Sequence, residues 1–347
     1  MTSHLLVGNP TAQSGKAAGY LERALDGLRE RGVEARLLPT EPAGRTVGLV
    51  TRAVEAERPD VVVYLGGDGT FNEVARGLLA ASVDVPLGML PMGTANNQGR
   101  SLGVRPGPAA IEENLDIILA GHVVHLDVGR CEALDDDGNP TAEVLFFDSA
   151  GWGMQPEILA QRNRDRADVS EIPVLREIYR DQAVYAGAAL ERFVASFIEP
   201  TKFSAEVTSG GEVRRWDGLT DLVISGTPIY AGEWVVDRFA ECDDGKFELV
   251  PMQGRRDWAS KALRDLRVLP LFQQDLDVIG VTHAEGYAAA DFRVRLSRPE
   301  RQGIASQIDG EEWVVGNDFR VTVLPNALPV IAPAGFVPPW RFDRAPT

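Results

Sequence analysis

The sequence predicts an α/β domain built on a mostly parallel sheet, followed by a β-rich domain with one inserted long helix. Three observations carry this expectation. In the first third, short apolar runs alternate with amphipathic ones at the spacing of βαβ units. After Gly121 the texture changes to β-type runs separated by turn clusters, a pattern that suits antiparallel pairing. The length of 347 residues also exceeds one ordinary core, at about 100–200 residues per domain. The expected domains are residues 1–121 and 122–318, with a late strand near 319–325 free to return to the first.

Each element follows from local pattern. Leu5-Leu6-Val7 reads as a strand ending at Gly8-Asn9-Pro10. Tyr20, Leu21, Ala24, Leu25 and Leu28 recur at helical spacing over 17–31, and Gly32 stops them. Residues 33–38 read as strand and 47–57 as helix. Val61-Val62-Val63-Tyr64-Leu65 is a strand buried on both faces. Helix is expected again over 71–81, strand over 87–90 and helix over 109–119. Beyond Gly121, β-type runs occupy 122–128, 143–147, 202–208, 219–225, 247–251 and 292–296. Leu175, Ile178, Leu190, Phe193, Val194, Phe197 and Ile198 form the stripe of the long helix, which reads as core rather than membrane-facing.

Composition narrows the function. With 44% hydrophobic and 25% charged residues, the chain is neither disordered nor fibrous. The 35 basic and 51 acidic residues leave a net charge of -16, which argues against a general nucleic-acid binder and against simple docking on anionic lipid. Cys131 and Cys242 read as ordinary reduced thiols. His4, His122, His125 and His283 lack ligand spacing. The N-terminus has no basic n-region, and no segment approaches ~20 consecutive apolar residues. The expectation is a soluble, cytoplasmic protein.

Three strand-to-helix turns could carry chemistry. Gly66-Gly67-Asp68-Gly69-Thr70-Phe71-Asn72-Glu73 follows a buried strand, where open α/β sheets bind ligands. Its glycines admit close backbone approach to a phosphate at a helix N-terminus, and Asp68 suits Mg²⁺ held against that phosphate. The plainer reading is a turn that only caps a helix. Leu90-Pro91-Met92-Gly93-Thr94-Ala95-Asn96-Asn97 forms a second such turn on the next strand. The third, Asn9-Pro10-Thr11-Ala12-Gln13-Ser14-Gly15-Lys16-Ala17, is no P-loop. Gly8 lies seven residues before Gly15, and Ala17 stands where Ser or Thr would bind Mg²⁺. Late in the chain, Asp309-Gly310-Glu311 offers two carboxylates. In an extended segment they would point the same way, although alone the tripeptide reads as an exposed turn. Asp243-Asp244-Gly245 alone reads as a hairpin turn.

Together these segments, with Asp243-Asp244-Gly245-Lys246-Phe247, resemble the diacylglycerol kinase catalytic-domain family of lipid kinases, which includes sphingosine and ceramide kinases. The resemblance implies an N-terminal domain like those of NAD kinase and phosphofructokinase, a β-rich second domain, and ATP and Mg²⁺ bound in the cleft between them. It implies nucleotide contacts at Asn9, Ser14, Gly15, Thr40, Gly66, Gly67, Asp68, Gly69, Thr70, Asn72, Glu73, Gly93, Thr94 and Asn96. Asp309 and Glu311 match the acidic pair that supplies the general base and a metal-linked carboxylate. A structural Mg²⁺ would map to Asp244 by its side chain and to Glu241 and Lys246 by backbone carbonyls.

The chain also departs from the family pattern. Asn97 stands where many members carry Asp, Asp148 replaces an Asn, and Gln155 replaces an Asp. The donor half looks standard and the acceptor half does not. Arg162, Arg164 and Arg166 could meet lipid headgroups, with Trp152, Ile158 and Leu159 nearby. The alternative pairs these arginines with Glu157, Asp165, Asp168 and Glu171 on a solvated face. The leading expectation is an ATP- and Mg²⁺-dependent lipid kinase, diacylglycerol its default acceptor, touching membranes transiently and peripherally. A catalytically silent nucleotide-binding regulatory protein and an NAD kinase are the alternatives. The oligomeric state, a homodimer included, stays open.

Overall fold

A strand such as Val61-Val62-Val63-Tyr64-Leu65 has no polar face, so it is stable only in a sheet covered on both sides. The computed structural model describes residues 2–153, 156–157, 202–230, 234–235, 240–253, 287–299 and 303–337. The long helix expected over 174–198, the arginines at 162–166 and Gln155 lie outside these residues. The chain divides into two units: Met1–Val128 with Cys242–Asp244 and Leu324–Thr347, and Gly129–Glu241 with Gly245–Val323.

In the first unit the alternation is β1 (Ser3–Gly8), α1 (Lys16–Glu30), β2 (Glu34–Pro39), α2 (Arg45–Glu57), β3 (Val61–Gly66), α3 (Asp68–Ala80), β4 (Leu87–Pro91), the short α4 (Asn97–Ser101) and α5 (Ile111–Ala120). The strands run parallel in the order β2-β1-β3-β4. On one side Leu21, Ala24 and Leu28 of α1 and Leu115 and Ile118 of α5 pack with Leu6, Val63, Leu65 and Leu90. Helices α2 and α3 approach at Gly77, where a Cβ would lie 2.7 Å from the Cβ of Val50. One boundary differs usefully from expectation: α3 begins at Asp68, not near Phe71, because Gly67 is an extended N-cap and the motif itself forms the first turn.

The chain then runs through β5 (Val123–Leu134), which continues into the second unit, and pairs there with β6 (Pro140–Phe146). The remaining strands are β7 (Ser149–Gly153), β8 (Phe203–Ser209), β9 (Glu212–Leu219), β10 (Asp221–Ser225), β11 (Ile229–Tyr230), β12 (Trp234–Val235), β13 (Phe247–Met252), β14 (Tyr287–Ala289), β15 (Asp291–Ser297), β16 (Ile304–Ile308), β17 (Glu311–Gly316) and β18 (Asp318–Ile331). Among the described residues one sheet has the order β14-β13-β10-β7-β16-β17 and is antiparallel throughout. A second antiparallel set joins the start of β18 to β15, β8 and β9. Trp152, Phe247 and Ile308 from the first set pack with Phe203, Phe292 and Phe319 from the second in one apolar cluster. The end of β18, from Leu324, belongs to the first unit, where Val330 pairs in parallel with Leu87 of β4. The fold is therefore α/β plus β-rich.

Candidate active site

Parallel strands put the loops that follow β1, β3 and β4 on one rim of the first unit's sheet. These are the three turns singled out from sequence, and direct contacts tie them together. The Met92 amide donates to the Gly66 carbonyl at 2.7 Å, and Gln13 Nε2 donates to the Met92 carbonyl at 2.8 Å. Gly67 and Gly93 meet backbone to backbone: a Cβ on Gly93 would lie 2.4 Å from the Gly67 Cα. Glycine is required at both positions by space rather than by backbone angle.

Asp68 closes the arrangement. Its Oδ2 accepts the Asn96 amide at 2.8 Å and its Oδ1 the Asn97 amide at 2.9 Å. Burial pushes its carboxyl up, while those two amides and the nearby Arg100 guanidinium pull it down. Asp68 thus braces the loop after β4 with both oxygens. Asn96 is 2% exposed and sits at φ +53, with its amide group bonded to both N–H and C=O of Gly93 at 2.8 Å. It builds the loop from inside, and Asn72, also buried, lies one helical turn beyond Asp68.

The first loop is held by Asn9, whose Oδ1 accepts the amide and hydroxyl of Thr11 at 2.9 and 2.8 Å. Gln13, Ser14 and Gly15 follow with φ of +52, +58 and +89, and Ser14 and Gly15 are exposed. Thr40 joins this rim through its amide, which donates to the Gly8 carbonyl at 3.0 Å. Of the expected contacts, Asn9, Ser14, Gly15, Gly69, Gly93 and Thr94 are exposed, and a Cβ on Gly69 would meet open space. Gly66, Thr70 and Glu73 are half-buried. A chain of exposed backbone at helix starts, beside a braced carboxylate, can receive phosphate groups and their counter-cation.

The acidic pair lies in the second unit and differs from expectation. Asp309 and Gly310, at φ +50 and +80, are the two central residues of a tight hairpin in which Ile308 pairs with Glu311. Positive φ at both is the signature of the Asp-Gly hairpin turn. The segment is therefore not extended, and the two carboxylates do not alternate along a strand. The Asp309 side chain turns back: Oδ1 accepts the amides of Asp148 at 2.7 Å and Ser149 at 3.0 Å, and Oδ2 that of Phe147 at 3.1 Å. Glu311 is exposed at the head of β17. Asp148, 4% exposed, accepts a short hydrogen bond from the Thr227 hydroxyl.

Asp244 is exposed in the bend ahead of β13, between Glu241 and Lys246. One carboxylate with two carbonyls is an oxygen-only donor set, the chemistry a hard cation such as Mg²⁺ takes. Among the described residues no group of three His, Cys, Asp or Glu side chains could hold a metal. Asp127 is buried as well. It accepts the Asn326 amide at 2.8 Å and donates its own amide to the Cys242 carbonyl at 2.7 Å. Its signal was faint, a lone acid inside an apolar run.

Residues 3–131 match the model of the diacylglycerol kinase catalytic domain. A diacylglycerol kinase of Staphylococcus epidermidis is 35% identical over 125 residues, 36% of this chain and 38% of that protein. One from Staphylococcus aureus is 36% identical over the same shares. The alignments thus span little more than a third of these relatives. In fold, a diacylglycerol kinase from Bacillus anthracis str. Sterne superposes with a TM-score of 0.64 at 19% identity, over 96% of this chain and 98% of that one. Yeast NADH kinase complexed with NADH superposes at 0.52 and 10% identity, over 96% and 84%. The matched segment contains all three rim loops, and over it the chain is similar to the diacylglycerol kinase catalytic domain.

Proposed function

We propose that the protein is an ATP- and Mg²⁺-dependent lipid kinase that transfers the γ-phosphoryl group to a lipid hydroxyl, with diacylglycerol the default acceptor. The observation that carries this reading is the braced rim: three loops locked by the Gly67–Gly93 contact and by Asp68 on the Asn96 and Asn97 amides. The nucleotide phosphates would lie along Ser14, Gly15, Gly69 and Thr94, with Asn9, Thr40, Asn72 and Asn96 shaping the loops beneath. Mg²⁺, when bound, neutralises charge on the β- and γ-phosphates; Asp68 is the side chain suited to hold it, and Asp244 with the Glu241 and Lys246 carbonyls would hold a structural ion.

A lipid hydroxyl is a poor nucleophile. Its proton passes to a carboxylate of the Asp309–Glu311 pair as its oxygen forms the new P–O bond and the bridging β–γ bond breaks toward ADP. Transient peripheral contact with a bilayer brings the acceptor, and among the described residues no helix is long and apolar enough to cross a membrane. The test is transfer from γ-labelled ATP to diacylglycerol in detergent micelles. Labelled lipid supports the reading. ATP binding without transfer to diacylglycerol, ceramide or a sphingoid base identifies a silent nucleotide-binding protein. Label on NAD would make it an NAD kinase.

A further inference from the structure

We propose that Gln13 is a phosphate-binding strap: its side chain crosses the rim and offers an N–H to the phosphates of the nucleotide. This assignment deepens the ATP reading above and rests on it. Gln13 Nε2 donates to the Met92 carbonyl at 2.8 Å, a bond between positions 79 apart in the chain. The strand order places β3 between β1 and β4, so a link from the loop after β1 to the loop after β4 spans the loop between them. The far end of the strap is firmly seated. Met92 is 6% exposed, its own amide donates to the Gly66 carbonyl at 2.7 Å, and the next residue, Gly93, lies against Gly67.

The backbone is strained to present this side chain. Gln13 sits at φ +52, in the left-handed region that a residue with a Cβ seldom adopts, and Ser14 follows at φ +58. Glycine takes such angles without strain, so a turn that only led into a helix would be better served by glycine at position 13. What glycine would forgo is the bond to Met92. A carboxamide nitrogen carries two hydrogens, and the Met92 carbonyl takes one of them. Gln13 is exposed, so its second N–H stays open to a ligand on the rim, beside the exposed backbone of Ser14 and Gly15. The same bond occupies a carbonyl oxygen, whose negative end would repel an approaching phosphate. One amide thus ties two loops together and adds a donor between them.

Calorimetric titrations of the full-length chain with ATP, inorganic tripolyphosphate and adenosine decide it, run beside urea denaturation. Gln13→Gly should bind ATP and tripolyphosphate about 10–100-fold more weakly, the loss of one hydrogen bond to a charged group, and adenosine within about twofold of wild type. Its urea midpoint should stay level or rise, because the left-handed strain leaves with the side chain. Gln13→Glu keeps the length, lacks the donor and sets a negative charge toward the phosphates, so it should lose more ATP affinity than Gln13→Gly. ATP affinity in Gln13→Gly within about twofold of wild type overturns the assignment. An equal loss for adenosine overturns it too, since that marks a purely structural tie. A folded wild-type chain that binds neither ATP nor tripolyphosphate defeats the nucleotide reading itself, and the strap with it.

Discussion

Gly93 and Gly67 touch with nothing between them, so the first side-chain carbon at either position forces two loops apart. With the added Cβ of Gly93→Ala 2.4 Å from backbone rather than from a movable side-chain tip, the rim cannot absorb it. ATP affinity should fall by at least ~tenfold, about 1.4 kcal/mol, in a calorimetric titration. Affinity within about twofold of wild type would show that the loops do not cradle phosphate. His4 gives a different residue-scale prediction. It is buried on β1, and burial holds its imidazole below the ordinary value against the opposing pull of the Ser3 backbone and Asp60. The unfolded chain therefore binds a proton first as the pH falls, and stability is lost from about pH 6.5 down toward the depressed folded value. His4→Leu should flatten part of that loss. Urea midpoints at pH 7.5 and 5.5 that shift equally in both proteins would contradict this.

At the scale of elements, the hairpin between β16 and β17 turns on Gly310. Its φ of +80 leaves open space for a methyl group, so Gly310→Ala carries only the backbone cost, about 1–2 kcal/mol in chemical denaturation. A loss under ~0.3 kcal/mol would mean that the turn relaxes elsewhere. Elements also show what was legible in the sequence. Val61-Val62-Val63-Tyr64-Leu65 and the helices around it could be read because burial on both faces leaves an unbroken apolar run. β9 (Glu212–Leu219) was missed because most of its side chains face solvent and half of its residues are charged. β7, Ser149-Ala150-Gly151-Trp152-Gly153, is fully buried yet made mostly of small residues without β preference. The Asp309 clamp spans about 160 positions, a pairing no local pattern reveals. The three rim loops were legible because glycine spacing and strand order are both local.

Over the whole molecule, the net charge of -16 would govern the bilayer contact that the proposed reading requires. Long-range repulsion from anionic lipid weakens as the Debye length shrinks, from about 30 Å at 0.01 M salt to about 8 Å at 0.15 M. Sedimentation with anionic vesicles should therefore rise with salt over that range, while neutral vesicles show little change. A fall with salt would instead indicate a dominant basic patch. The three-loop rim lies in the first unit and the acidic hairpin in the second. The central claim is that they make a lipid kinase, and transfer of label from γ-labelled ATP to micellar diacylglycerol tests it most directly. Mg²⁺-dependent labelled lipid, lost by ~10²–10⁴-fold in Glu311→Gln with ATP binding intact, is the predicted result. A folded wild-type chain that binds ATP and labels no lipid alcohol would contradict it.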